Sequence, residues 1–382
     1  MATYKPWPVT FTSGSGALLR DTEGNEYLDF AGGIAVASVG HAHPRVSAAI
    51  AEQAAALIHV SNLYGTEPQQ ELAARLASLT GGMHSFFCNS GAEAVEAAIK
   101  LARRHAGDVK PGARTIVATD GGFHGRTFGA LAATGQPAKQ EPFRPLPAGF
   151  VHVPYGDADA MEAIVGDDTA AVIVEPIQGE NGVVVPAPDY LGEIRSLCDR
   201  TGTLLILDEV QTGLGRTGRW FAHEHSGVIP DVMCLAKALA GGLPMGACLA
   251  RPDIAAAFRA GDHASTFGGG PVQSAAALAM LDVIESEGLI ENAAHMGELL
   301  MKGLDALFGS RATVRGRGLM IGVAFESDVS RAIASAAFDR HLLVNDVTPS
   351  VIRLSPPLVI DESDVARALD VLEEVRDEVA KA

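Results

Sequence analysis

The chain has 382 residues, 47% of them hydrophobic and 20% charged, and a net charge of −17. That length can build one large core with a smaller one beside it, and the acidic balance argues against a nucleic-acid or anionic-membrane partner. No apolar stretch approaches the ~20 residues of a membrane span, and Met1-Ala-Thr-Tyr-Lys-Pro-Trp-Pro lacks the apolar core of a secretory signal, so a cytoplasmic protein is expected.

Gly16-Ala-Leu-Leu-Arg-Asp-Thr-Glu-Gly-Asn-Glu-Tyr-Leu-Asp-Phe reads as a hairpin turning at Glu23-Gly24-Asn25. From His84 onward, short apolar runs alternate with helical segments. Strands are predicted over 84–88, 115–119, 171–175, 204–208, 231–236 and 246–250, and an Ala-rich helix over 92–105. Runs this apolar suit strands covered on both faces, which implies an α/β architecture around a mostly parallel sheet. A helix over 271–287 follows. The tail reads as a smaller α+β module: extended residues 314–324, a helix over 329–339, extended residues 342–354 and a last helix over 362–381. The expected division is 1–40 packing with the small domain, 41–290 as the large domain and 291–382 as the small one. Cys88, Cys198, Cys234 and Cys248 are scattered, without CxxC spacing, and read as reduced, buried thiols.

Ligands of such sheets sit beyond the carboxyl ends of the strands. Asn89, Ser90, Asp120, Glu175, Asp208 and Lys237 all fall at predicted strand ends. Asp231-Val-Met-Cys-Leu-Ala delivers Lys237 into an almost uncharged neighbourhood, where desolvation makes an amine nucleophilic. A lysine can hold an aldehyde as a Schiff base, and an aspartate such as Asp208 can keep a pyridine nitrogen protonated. Together they suggest a pyridoxal 5′-phosphate site. Ser90 and Glu93 match a capping box, while small Gly91 and Ala92 leave the helix start open to a phosphate. Phe123 can stack on a ring or merely fill core. Arg126 and Arg353 can each bind a carboxylate or sit in a surface ion pair.

Two other patterns carry less. Gly213-Leu-Gly-Arg-Thr-Gly218 spells a dinucleotide fingerprint, but it does not turn from strand directly into helix, as a nicotinamide site requires. The pairs His41/His43 and His223/His225 lack a matching ligand cluster, so no metal is expected.

The motifs Phe86-Phe-Cys-Asn-Ser-Gly-Ala-Glu, Phe123-His-Gly-Arg-Thr, Val174-Glu-Pro-Ile-Gln-Gly-Glu and Leu205-Ile-Leu-Asp-Glu-Val-Gln-Thr-Gly stand in order along the chain. Leu235-Ala-Lys-Ala-Leu-Ala-Gly-Gly, Ser265-Thr-Phe-Gly-Gly and Arg353-Leu-Ser-Pro-Pro-Leu follow. Together they resemble the class III, or ω-, aminotransferases, and most closely the acetylornithine aminotransferases among them. The resemblance implies the aspartate-aminotransferase-like fold type I and a homodimer with shared active sites. It implies that the ω-amino group of N2-acetylornithine passes to 2-oxoglutarate, with succinylornithine, ornithine or 4-aminobutyrate as alternative donors. A nicotinamide-dependent oxidoreductase and a non-catalytic interaction protein are the readings from other classes. Residue by residue, it implies that Lys237 holds the cofactor and moves a proton, and that Asp208 pairs with the pyridinium. Gln211 meets the ring hydroxyl, and Val210 and Phe123 sandwich the ring. Ser90, Gly91 and Ala92, with Thr266 from the partner subunit, bind the phosphate. Arg126 and Ser265 contact the acylated amine, and Arg353 holds an α-carboxylate that Glu180 otherwise masks. Family members commonly have asparagine where this chain has Ala37, Val95 and Gly270. Ala37 and Gly65 are expected in loops at the pocket mouth.

Overall fold

The computed structural model describes residues 1–379. The chain opens with strands β1 (Phe11–Ser15), β2 (Leu18–Asp21) and β3 (Glu26–Asp29), an antiparallel meander. Its β2–β3 turn is held by Asp21, whose carboxylate accepts from the amides of Glu23 and Asn25 at 2.9 Å. Asx-type bonds of this kind are what make aspartate a turn residue.

The central sheet is built from β4 (His84–Cys88), β5 (Thr115–Thr119), β6 (Phe150–Val153), β7 (Thr169–Val174), β8 (Leu204–Asp208), β9 (Val232–Leu235) and β10 (Gly246–Ala250). Its seven strands run in the order β4-β10-β9-β8-β7-β5-β6, parallel except for β10, which is antiparallel to both neighbours. Every residue of β7, β8, β9 and β10 is buried, because helices cover both faces: Gly91–Val109 packs on one side and Tyr190–Thr201 on the other. The second of these ends at Gly202, in the left-handed conformation (φ +62°) that glycine supplies without steric cost. The β6 edge strand is not among the sequence expectations; it lies in a proline-rich stretch with a weak apolar signal.

The expected helix over 271–287 is Pro271–Ser286. Beyond it, the single extended stretch expected over 314–324 proves to be a hairpin of β11 (Ala312–Arg317) and β12 (Met320–Phe325). Gly318, at φ +52°, makes the reversal between them. The stretch 342–354 likewise divides into β13 (Leu342–Leu343), β14 (Asn345–Thr348) and β15 (Val351–Leu354). Strands β11, β12, β15 and β14 form one sheet, whereas β13 pairs in parallel with β3. Trp7 stacks on Phe338 at 4.8 Å, so the first residues pack on the helix Ser330–Phe338. The last helix is Glu362–Val379; the end expected at 381 lies outside the described residues. No helix of the described residues is long and apolar enough to cross a membrane.

Candidate active site

A cavity of about 430 Å³ opens at the carboxyl edge of the central sheet, and loops that leave the strands line it. Ser90, Gly91, Ala92, Phe123, Arg126, Asp208, Val210, Gln211 and Lys237 all border it, together with Glu175 and His124. Asp120 follows β5 on the same edge but lies outside the lining.

Asp208 terminates β8 and is 4% exposed. Its Oδ2 lies 2.8 Å from His124 Nδ1, with the imidazole N–H donating, and its Oδ1 accepts from the Val210 amide at 3.1 Å. Burial disfavours a charged imidazole, but the bond and charge of Asp208, with Glu175 nearby, outweigh it and raise the His124 pKa. Glu175, just beyond β7, accepts from the amides of Phe123 and Gly179. Burial pushes its pKa up to about 7; His124 pulls it down and Asp208 pushes it further up. Asp208 and His124 therefore form a rigid, hydrogen-bonded base to the cavity.

Lys237 follows β9 with a left-handed backbone (φ +47°), which for a residue bearing a side chain costs of order 1–3 kcal/mol. Strain of this kind persists where surrounding structure imposes it, here the buried turn Ala238–Leu239–Ala240. Desolvation, with the charge of Arg353, lowers the Lys237 pKa to about 8 against the opposing pull of Glu180, Glu175 and Asp208. Roughly a quarter of the amine is then neutral at pH 7.5, against about one part in a thousand for an ordinary lysine.

The helix Gly91–Val109 points its amino end into the cavity. Ser90 caps it by accepting from the Glu93 amide at 3.2 Å. The box is shifted by one residue: Glu93 Oε2 accepts from the Asn89 amide, not from that of Ser90. The Gly91 and Ala92 amides precede the helix's own hydrogen bonds and face the cavity with the positive end of the dipole. A Cβ on Gly91 would come within 2.9 Å of Val210 Cγ1, so glycine keeps this cradle open.

Arg353, on β15, and Glu180 are not among the lining residues but stand behind Gln211, which is one; Arg353 is 1% exposed. It donates to Glu180 Oε1 at 2.8 Å, to Gln211 Oε1 at 3.0 Å and to Asn345 Oδ1 at 2.6 Å. The Gln211 carbonyl is thus occupied, which leaves its amide N–H groups for another acceptor. Burial raises the Glu180 pKa, but Arg353, Lys237 and Lys139 outweigh it and hold the carboxyl low, so Glu180 is charged. Arg126 is exposed and lies over the Phe123 ring at 5.6 Å. Ser265 reaches the site indirectly, its hydroxyl accepting from Asn89 Nδ2 at 3.3 Å. Thr266 does not join this cavity; it is exposed on the outer surface beside Phe267. Val36, not Ala37, lines the cavity, and Gly65 sits outside it against Gln70. Glu175, placed at the sheet edge by the sequence but given no role there, lines the cavity, and His124 and Asn345, which the sequence did not single out, complete the surroundings. His124 stands inside the Phe123-His-Gly-Arg motif, the one signal that could have found it.

The histidine pairs have other partners: His41 meets Asp29, His43 meets Glu287, His223 meets Glu209, and His225 meets the Thr217 carbonyl. The glycines at 213–218 surround Arg216, which is buried and donates to the carbonyls of Leu319 and Pro356.

Comparison with known proteins decides the family. The class-III aminotransferase model matches residues 1–375. The chain belongs to the class III aminotransferases. Acetylornithine aminotransferase of Mycobacterium tuberculosis is 51% identical over 369 residues, 96% of this chain and 91% of that protein. Its counterpart in Streptomyces coelicolor is 51% identical and covers 100% of this chain, with 94% of its own length matched. Among solved structures, ornithine aminotransferase of Toxoplasma gondii superposes with a TM-score of 0.96 at 35% identity, over 100% of this chain and 93% of that one. Acetylornithine aminotransferase of Elizabethkingia anophelis gives 0.89 at 34%, over 99% and 96%. The chain therefore has fold type I and, as a class III aminotransferase, depends on pyridoxal 5′-phosphate. The cavity fits that group: an amine of lowered pKa, a buried carboxylate at the base and an open helix start stand around one space.

Proposed function

We propose that the chain transfers the ω-amino group of N2-acetylornithine to 2-oxoglutarate, giving N-acetylglutamate 5-semialdehyde and glutamate. The observation that carries this reading is the masked arginine: Arg353 is buried and bonded to Glu180, whose own side chain stays partly exposed. With Glu180 in place, an ω-amine that has no adjacent carboxylate meets no uncompensated cation. When glutamate enters, its α-carboxylate replaces Glu180 on the guanidinium. The identity to acetylornithine aminotransferases over nearly the whole chain supports the choice of donor.

When bound, pyridoxal 5′-phosphate supplies an electron sink for the charge left when a proton leaves the amine-bearing carbon. Lys237 Nζ would hold the cofactor and serve as the base that takes up that proton; its lowered pKa suits a base working near neutral pH. Asp208, held by His124, keeps the pyridine nitrogen protonated. Val210 and Phe123 flank the ring, and the free N–H groups of Gln211 donate to its hydroxyl oxygen. Ser90 and the Gly91 and Ala92 amides receive the phosphate. Arg126 and Ser265 contact the acylated amine.

The protein acts as a cytoplasmic homodimer in this reading. Leu63, Tyr64 and Phe267 are exposed large hydrophobics near Thr266, a surface suited to a second copy, and Thr266 of the partner subunit would then reach the phosphate. The four buried, free thiols suit a reducing compartment.

The test offers acetylornithine, succinylornithine, ornithine, 4-aminobutyrate and glutamate one at a time to the loaded protein and times each half-reaction by absorbance. Fast reaction with acetylornithine and glutamate, with ornithine slow, is expected. A faster reaction with another amine would move the assignment to that donor.

A further inference from the structure

Lys139 has no place in the roles given so far. It lies in the short helix Pro137–Gln140, which the neighbouring residue fixes in place. The buried Gln140 side chain donates to the carbonyls of Leu131 and Thr134 at 3.1 and 2.7 Å. Held in this way, Lys139 directs its ammonium over the Phe123 ring, with Nζ 4.8 Å from the centroid. The half-buried ammonium takes part in no hydrogen bond or ion pair among the described residues. Desolvation lowers its pKa, and the strongest charge opposing that shift is Glu180. Lys139 in turn is one of the cations that keep Glu180 ionised, after Arg353 and Lys237.

A partly buried cation with no carboxylate partner thus stands over Phe123, and Glu175 ties the Phe123 amide to that of Gly179, the residue before Glu180, whose proposed role requires it to move. Glu180 gives up its bond to Arg353 Nη1 each time an α-carboxylate binds there. A carboxylate released into a half-buried pocket keeps its charge only if another cation receives it. We propose that Lys139 receives Glu180 when an α-carboxylate displaces it from Arg353, so that masking and unmasking is a swap of Glu180 between two cations. Arg353 holds it while the ω-amine reacts, and Lys139 holds it while glutamate or 2-oxoglutarate is bound. Lys139 is therefore a positioning residue: it touches neither the substrate nor the reacting atoms. The inference rests on the masking role given to Glu180 above.

The experiment loads the protein with the amine form of the cofactor and reads 2-oxoglutarate binding from the concentration dependence of its single-turnover rate, with KM and kcat for glutamate and the single-turnover rate with acetylornithine alongside. Lys139→Met keeps the aliphatic stem on Phe123 and removes the charge; Lys139→Arg restores it. Lys139→Met is expected to weaken 2-oxoglutarate binding about tenfold, the size of one charge-assisted hydrogen bond. It should raise KM for glutamate more than it lowers kcat and change the acetylornithine step less than about twofold. Lys139→Arg should recover most of the loss. In a Glu180→Ala background Lys139→Met should change nothing, since no carboxylate remains to be received. A loss that persists in that background, or that strikes both half-reactions equally, overturns the swap and makes Lys139 a direct substrate contact or a structural residue. Binding that Lys139→Met leaves unchanged overturns the swap alone. Absence of 2-oxoglutarate binding by the unaltered protein overturns the acceptor reading and the swap with it.

Discussion

Arg353 is buried behind Gln211 and bound by Glu180, Gln211 and Asn345, whereas Arg126 borders the cavity, is exposed and lies against the face of Phe123. Both are arginines placed where a carboxylate can reach them, but their surroundings give them different strengths and different selectivity. A guanidinium in a dry setting interacts strongly with any anion admitted and is costly to leave unpaired, so it needs a resident carboxylate in every state. Glu180 fills that need, and it also offsets the repulsion that Arg353 exerts on Lys237. The exposed Arg126 is already solvated and screened, so a bound carboxylate there gains less and tolerates more variation in what carries it. The buried end accordingly suits one shared, invariant group, the α-carboxylate of glutamate, and the open end suits the part of the amine donor that differs between enzymes of this kind.

The variants that follow separate the two ends, from the largest effect to the smallest. Lys237→Ala removes the group common to both half-reactions and should cut each by about 10³-fold or more, measured by single turnover; loss in one half alone would break the symmetry assumed for it. Asp208→Asn should reduce both halves by about 10²-fold, since the base of the site serves either substrate, and stopped-flow absorbance reads this. Arg126→Ala should raise KM for acetylornithine by about tenfold with kcat little changed, the behaviour of uniform binding at a solvated contact. Last is a pH effect. The Lys237 pKa lies below that of an ordinary lysine, at about 8, so the neutral amine gains about tenfold per pH unit up to that value and then levels. Uptake of pyridoxal 5′-phosphate by the cofactor-free protein, followed from pH 6 to 9, should show this rise and plateau. The stability sign is the same: a lowered folded-state value favours the fold above the unfolded pKa and loses that contribution as pH falls through about 8.

The sheet edge was readable because the chemistry sits where apolar runs stop. Strands β7, β8 and β9 are continuous hydrophobic segments, and Glu175, Asp208 and Lys237 follow or end them. What escaped the sequence was set by long-range pairing. His124 lies 84 residues from Asp208, and Asn345 meets Arg353 only because β14 and β15 pair. The hairpin of β11 and β12 was hidden because its reversal takes a single glycine inside an otherwise extended pattern. Thr266 is the opposite case: the motif marks it, but the folded chain leaves it outside its own cavity. Lys139 carries no local signal, since a lysine in a polar turn reads as a solvated charge until the packing of Gln140 directs it toward the ring.

The measurement that bears most directly on this account is the pair of single-turnover rates for Arg353→Gln, with acetylornithine and with glutamate each offered alone, beside a thermal unfolding curve. Glutamate should lose about 10²-fold through the missing α-carboxylate contact. Acetylornithine should keep its rate within about threefold, because that half-reaction proceeds with Arg353 already covered by Glu180. Equal losses for the two substrates in a folded variant would contradict the account and show that Arg353 serves the architecture of the site and not the choice between its substrates.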